Sequence, residues 1–434
     1  MAWFTRNKQE PVVVPEPVEA EIEEVPRLPA PPALDAAGMR SVADHTRYLL
    51  SLVEPLRPFG MSLLDAWNQV LCEDIDSMIN VPPSSTAKVD GYAVRALDLL
   101  DGEDRLAEPL QIVDASVERL PEGSAVVVAS GDVLPRGANA VLPSAFGTVD
   151  DGRVRLVEKV SVGEHVRAAG DHLRVGARLL SEGDRLGDRS IGLLAGSGID
   201  KVMVRPRPRV VVISSGEHLV DPGSQIGHGE VADSNSFMIA AAAKAVGATV
   251  FRVAVHTNDP ASIRQVITDQ LIRADLVIST TGGRREDYEA VVSVMADLGL
   301  VDEANVAMSP GRMQTFGLIG DDQVPMLMLP GNPVSAYVSF HAFARPLILK
   351  LMGSATQHPA VRAIATQPVR SMLGQLHLLR GTVTSEGSVR HVAPVSMPHA
   401  LGELAAANAL IVVDESVEQV GPGEAVKVWL LDEE

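Results

Sequence analysis

Three short loops in this chain carry residue types suited to holding a phosphate. They are Ser214-Ser215-Gly216, Thr280-Thr281-Gly282-Gly283 and Pro330-Gly331-Asn332-Pro333. Glycine lets a backbone approach a phosphate closely. The third loop also opens a helix, whose free amides suit an anion. One such loop means little, because glycine also simply ends strands. Three on one edge of one sheet point to a phosphorylated ligand.

The elements around these loops must bring them together. Val210-Val211-Val212-Ile213 is a continuous β-branched run, the mark of a strand buried on both faces. A small-residue helix follows, with Ser236 near its start and Ala240 and Ala245 within it. Residues 249–255 read as a second strand, 263–272 as a helix and 276–278 as a third strand. Residues 291–298 read as another helix and 325–329 as another strand. This alternation predicts a doubly wound parallel sheet, whose ligands sit at the carboxyl ends of its strands. Upstream, Ser41 caps a helix that buries Tyr48, Leu49 and Val53. A second helix is expected over 63–70. Residues 110–113, 125–128 and 140–142 read as short strands. Short strands resume after about 355 and run to Trp429.

Composition excludes several classes. Lys and Arg total 37 against 56 for Asp and Glu, so the net charge is −19. Nucleic acid demands a basic surface and is not an expected partner. Anionic lipid is disfavoured for the same reason. No apolar run is long enough to insert in a membrane, and no secretory leader is evident, so the reading is cytoplasmic. The single cysteine, Cys72, excludes an internal disulfide and reads as a buried apolar residue. No histidine pair shows ligand spacing, so no metal site is expected from the histidines. Residues 1–38 alternate Glu with Pro and read as disordered. They are a solvated tail or an over-extended gene start before Met39, or else an arm with Trp3 and Phe4 at its tip.

Several stretches carry a family likeness. Residues 81–94 read Val-Pro-Pro-Ser-Ser-Thr-Ala-Lys-Val-Asp-Gly-Tyr-Ala-Val. This resembles P-P-F-D-N-S-A-M-D-G-Y-A-V of the MoeA/gephyrin family of molybdenum insertases. Ser130-Gly131-Asp132 through Val141 resembles T-G-x-x-x-P-x-G-A-D-A-V. Val231-Ala232-Asp233-Ser234-Asn235-Ser236 resembles Y-D-S-N-S. Leu329 through Ser335 matches L-P-G-N-P-V-S, and 405–411 resembles A-x-A-N-G-L-I. The likeness runs from about residue 39 to the end.

The resemblance implies a fold and a division of the chain. It implies an elongated homodimer with an α/β domain over 207–354 that binds molybdopterin. A linker and dimerisation domain would comprise 39–80 and 160–206. A β-rich domain would be inserted over 81–159, and a C-terminal β domain would cover 355–434. The family site lies between the α/β domain of one subunit and the first motif of the other. Its reaction joins molybdate to adenylylated molybdopterin with a divalent metal such as Mg, and releases AMP. The implied binding positions are Ser130, Gly131, Asp132, Ser214, Ser215, Gly216, Asp233, Ser234, Asn235, Gly282, Gly283, Pro330, Gly331, Asn332, Pro333 and Ser335.

The same resemblance shows departures at the chemistry. Asp90 is retained. The Asp-Asn pair of the first motif falls on Ser85 and Thr86, and a hydroxyl cannot hold a divalent metal as a carboxylate does. A family Asp falls on His172 and a family Glu on Ser190. An acidic pair falls on Glu217 and His218. A family Asp becomes Glu289, in a loop that carries Arg284 and Arg285. The two lysines of M-K-P-G-K-P fall on Ser309 and Arg312. Retained frame with altered chemistry predicts a peptide-binding scaffold, similar to gephyrin and to gephyrin-like division proteins of actinobacteria. Its partner would be a short peptide of a division or membrane protein, held in a groove lined by Met397, Leu401 and Leu404. The alternative is a molybdopterin molybdenumtransferase that retains its Mg and its pterin substrate.

Overall fold

The computed structural model describes residues 28–99, 108–395 and 401–431. The run Val210-Val211-Val212-Ile213 lies inside a six-stranded sheet because both of its faces find apolar cover. Val210 and Val212 pack into one cluster, Val211 and Ile213 into another. In chain order the elements are β1 (Arg209–Ser215), α1 (Asn235–Val246), β2 (Thr249–Val255), α2 (Pro260–Leu271), β3 (Leu276–Thr281) and α3 (Arg285–Leu298). There follow β4 (Gly299–Asn305), β5 (Met313–Ile319), β6 (Val324–Met328), α4 (Pro333–Ser339) and α5 (Arg345–Leu351). A π-helical stretch, Phe340–Ala344, joins the last two. Ile239 of α1, Val334 of α4 and Leu347 of α5 cover one face; Ile263 of α2 and Val291 of α3 cover the other.

The sheet order is β2-β1-β3-β6-β5-β4. The first four strands are parallel, as the sequence predicts. β5 runs antiparallel to both β6 and β4, so the sheet is mixed and not wholly parallel. Asp302, Glu303, Gln314 and Thr315 hid these two strands in the sequence. In the fold Gln314 and Thr315 are buried but bonded. Gln314 Nε2 donates to Ser339 Oγ over 2.8 Å, and Thr315 Oγ1 shares a hydrogen bond with the Tyr288 hydroxyl.

Upstream, Ser41 Oγ accepts from the Asp44 amide at 3.0 Å and starts the helix Val42–Ser51. No helix forms over 63–70, contrary to expectation. The amide of Asn68 donates to Leu186 O and that of Leu71 to Asp184 O, so a neighbouring segment claims this backbone. Asn68 itself has φ 65°, outside the helical region. Strand Phe59–Ser62 pairs with Lys201–Val204, and Ile75–Asp76 with Arg178–Leu180, around Leu71, Leu186, Leu194 and Val204. A separate six-stranded sheet contains Gly91–Val94, Leu110–Val113, Ser124–Val128 and Ala140–Pro143. Residues 1–27 of the expected tail lie outside the described residues. Pro29, within the rest of it, accepts from the Tyr48 hydroxyl at 3.1 Å.

In the C-terminal part, Ala360–Ala365, Leu376–Glu386, Val389–Pro394, Ala409–Val413 and Ala425–Leu430 pair in a closed ring. Val392, Ile411 and Val428 fill it. Met308–Ser309 pairs in parallel with the start of Leu376–Glu386 and ties the ring to the α/β part.

Candidate functional site

The carboxyl ends of β1, β3 and β6 meet at the start of α1. Ser214 Oγ donates to Asp233 Oδ2 over 2.7 Å, and both residues are buried. Asp233 stands just before α1 and accepts from the Ser236 amide at 3.0 Å, so it satisfies one of the helix's open donors. It also accepts from Ser236 Oγ, and the Arg252 guanidinium lies 3.7 Å away.

Asn235 binds two of the three loops to the start of α1. Its Nδ2 donates to Gly331 O at 2.7 Å, Thr280 Oγ1 at 3.1 Å and Thr281 O at 3.2 Å. The glycines permit this convergence. A Cβ on Gly331 would stand 2.4 Å from the Gly283 Cα, and one on Gly282 would stand 2.2 Å from His218 Nε2. Asn332 caps α4, accepting from the amides of Val334 at 3.1 Å and Ser335 at 3.2 Å. Pro330 and Pro333 flank it, with Pro333 at the first helical position, where its missing N–H costs nothing.

These loops enclose a cavity of about 190 Å³ lined by Asp233, Ser234, Asn235, Thr281, Gly282 and Gly331, among others. Asn235 Oδ1 and Thr281 Oγ1 in its lining have no protein partner, and neither has the buried Ser215 Oγ beside them. Buried polar atoms without partners are rare in folded proteins unless water or a ligand completes them. The edge is therefore chemically prepared for a polar ligand.

Sequence reasoning missed Asp287. It is fully buried in the first turn of α3, its Oδ2 lies 3.2 Å from His218 Nδ1, and it stands 2.9 Å from where a Gly216 Cβ would be. The available signal was an acid in the first turn of a helix, where the helix dipole favours it. Glu289 is exposed and pairs with Arg285 across one helical turn at 2.6 Å. Glu217 is also exposed. Arg284 ends the loop with extended backbone at the N-cap position of α3, without a side-chain cap bond, and Arg285 begins the helix.

The other predicted positions lie apart from this edge. Asp90 Oδ1 accepts from the Ser130 amide at 2.7 Å, Ser130 Oγ donates to Lys88 O, and Asp132 accepts from the Ala129 amide at 2.8 Å. Gly131 completes this turn at φ 98°. Ser85 Oγ accepts from the Ala169 amide at 3.3 Å. His172 is exposed, and Ser190 lies half-buried in the helix Asp188–Gly196. Ser309 is half-buried against the C-terminal ring and Arg312 is exposed. Among the described residues no hydrogen bond joins the Asp90 group to the α/β loops. A divalent cation does not fit the donors present at the edge. Asp233 is already held by Ser214 and Ser236, Asp287 faces His218, and no group of three His, Cys, Asp or Glu side chains suits a metal among the described residues.

A polar-lined edge on a mixed α/β sheet, joined to a β-rich region and a C-terminal ring, defines a multidomain α/β class. Three family models match the chain: "MoeA N-terminal region (domain I and II)" over 40–198, "Probable molybdopterin binding domain" over 211–350 and "MoeA C-terminal region (domain IV)" over 362–431. The chain belongs to the MoeA family. It is 35% identical over 367 residues to Molybdopterin molybdenumtransferase 1 of Mycobacterium tuberculosis, covering 79% of this chain and 86% of that one. It is 32% identical over 357 residues to Molybdopterin molybdenumtransferase 2 of the same organism, covering 79% and 87%. Its fold is similar to that of the molybdopterin biosynthesis moeA protein of Pyrococcus horikoshii, with a TM-score of 0.79 and 27% identity over 91% of this chain and all of that one. Among the described residues no helix is long and apolar enough to cross a membrane.

Proposed function

We propose that this chain is a dimeric, cytoplasmic peptide-binding scaffold built on a molybdenumtransferase frame, with molybdate insertion reduced or lost. The observation that carries this reading is a groove of about 650 Å³ between α1 and α6 (Leu401–Ala406). Leu401 is 46% exposed on one side and Phe237 44% exposed on the other, while Leu404 is buried beneath as part of the main core. A short peptide needs a few apolar anchors of this kind. Met397, also expected here, lies outside the described residues. A net charge of −19 favours an apolar or basic peptide, since an acidic one is repelled. By analogy with the family's scaffold members, the peptide belongs to a division or membrane protein.

The altered chemistry supports the second half of the proposal. Serine stands at 85, 190 and 309, where the family motifs carry acid or lysine. Losing one preorganised electrostatic group costs about 10²–10³ in rate. The test is complementation of a strain lacking its molybdenumtransferase. Nitrate reductase activity is expected to stay near the empty-vector level, and robust activity would overturn the proposal.

A second reading keeps the transferase active, and the cradle favours it. Asn235, Asp233 and Gly331 form a connected frame beside unpartnered polar atoms, suited to the phosphate of molybdopterin. In that reading the partner subunit's Asp90 group completes the site. The same complementation separates the two readings.

A further inference from the structure

Asp287 is fully buried, and its nearest counter-charge comes from the chain itself. It stands in the first turn of α3, where the helix dipole offsets part of a negative charge. Its Oδ2 lies 3.2 Å from Nδ1 of the buried His218. This contact is within ion-pair range but off the line of a hydrogen bond. A buried carboxylate is costly unless a cation balances it.

The backbone around the pair is shaped to receive it. His218 O accepts from the Val231 amide at 2.9 Å, and Leu219–Val220 pairs with Val231–Ala232, which fixes where the ring starts. A Cβ on Gly282 would stand 2.2 Å from His218 Nε2, and one on Gly216 would stand 2.9 Å from Asp287 Oδ2. Two of the three ligand loops therefore carry glycine at the points that pack on this pair. The His218 ring spans from Asp287 to Gly282, and Gly282 lines the 190 Å³ cavity. The pair thus lies directly behind the cavity wall.

The charge balance turns on residue 218. A carboxylate there would face Asp287 inside the protein, and two buried like charges demand a cation between them. The family motif that the chain resembles carries an acid at this position. A histidine meets the same demand from within.

We infer that His218 takes the place of a divalent cation at this edge, so that the edge receives its ligand without one. His218 and Asp287 hold one proton between them and are neutral as a unit. Asp287 then has no charge left to offer a metal, and the ring fills the space beside Gly282 that a hydrated cation would need. The charge that a ligand meets is set by the chain alone. The inference is independent of the peptide groove, whose lining includes neither residue.

The test is titration of Mn²⁺ into the full chain, with free Mn²⁺ read by electron paramagnetic resonance. Asp287→Asn is expected to leave the binding curve of the natural chain unchanged. His218→Glu is expected to add one site at least about tenfold tighter than any in the natural chain, because a second carboxylate supplies a hard oxygen ligand. The double variant His218→Glu/Asp287→Asn is expected to lose that site. A Mn²⁺ site that disappears from the natural chain on Asp287→Asn, or a folded His218→Glu that gains none, would overturn the inference. Should His218→Glu not fold even with Mn²⁺, the Asp287→Asn comparison decides the matter. Thermal melts check the charge balance separately. His218→Phe leaves the carboxylate buried without its counter-charge, and adding Asp287→Asn is expected to raise the melting temperature above that of His218→Phe alone. A double variant no more stable than the single one would also overturn the inference, because the carboxylate would then need no partner.

Discussion

Asn235 Nδ2 donates to the Gly331 carbonyl over 2.7 Å and so joins the start of α1 to the loop after β6. The same nitrogen reaches Thr280 and Thr281 at the end of β3, so two hydrogens serve three acceptors. A ligand arriving at the cradle meets a frame already assembled, which lowers the ordering cost of binding.

Asn235→Ala is expected to cost about 1–3 kcal/mol of folding stability, because it leaves buried carbonyls without their donor. Asn235→Asp is expected to cost more, since it removes the donors and sets a carboxylate against three acceptors. Urea denaturation of both variants checks the order, and equal stability of the aspartate variant and the natural chain would contradict it.

Stability is expected to fall on acidification between about pH 6.5 and 4. Burial, then the Arg40 guanidinium, push His45 from 6.5 down to about 4. The unfolded chain therefore binds this proton first as the pH drops, and stability is lost through that window. The shift corresponds to on the order of 3 kcal/mol. Its ring meets Phe343 edge-on at 5.0 Å with both nitrogens unpartnered, so His45→Phe should flatten this part of the pH profile. Thermal melts across the window, compared between the two chains, measure it.

Leu401→Lys is expected to change stability by no more than about 0.5 kcal/mol, since the residue is exposed at the groove rim. It should nonetheless abolish capture of the peptide partner, by removing an apolar anchor and repelling a basic segment. Crosslinking from lysate, with partner recovery compared between the two chains, reads this out. Undiminished recovery would place the peptide elsewhere.

Light scattering is expected to give a mass near twice 46.0 kDa at micromolar concentration. Closed two-fold assembly is the commonest solution for soluble oligomers.

The parallel half of the sheet was legible because Val210 through Ile213 and Leu276 through Ile278 are unbroken apolar runs, and such runs are diagnostic of two-sided burial. Strands β4 and β5 were not, because Asp302 and Gln314 interrupt their pattern and find their partners only in the folded chain. The turn over 63–70 read as a helix because its apolar spacing fits one, while the amides of Leu63 and Asn68 bond to residues more than a hundred positions away. The cradle loops were visible through their glycines. The Asp287–His218 contact was not, because it depends on a strand end and a helix start converging in space.

The five C-terminal strands close on one another, and the place beside the start of Leu376–Glu386 is filled by Met308–Ser309. A guest segment therefore finds that ladder position already taken by the chain itself, unlike the open edges by which many peptide-binding sheets recruit their ligands. Recognition by this part of the molecule must rest on side chains and the shape of the groove, not on a row of backbone amides. Specificity then resides in which residues of the guest fill the Leu401–Phe237 cleft, and the closed circuit also denies neighbouring copies a template for strand-to-strand aggregation.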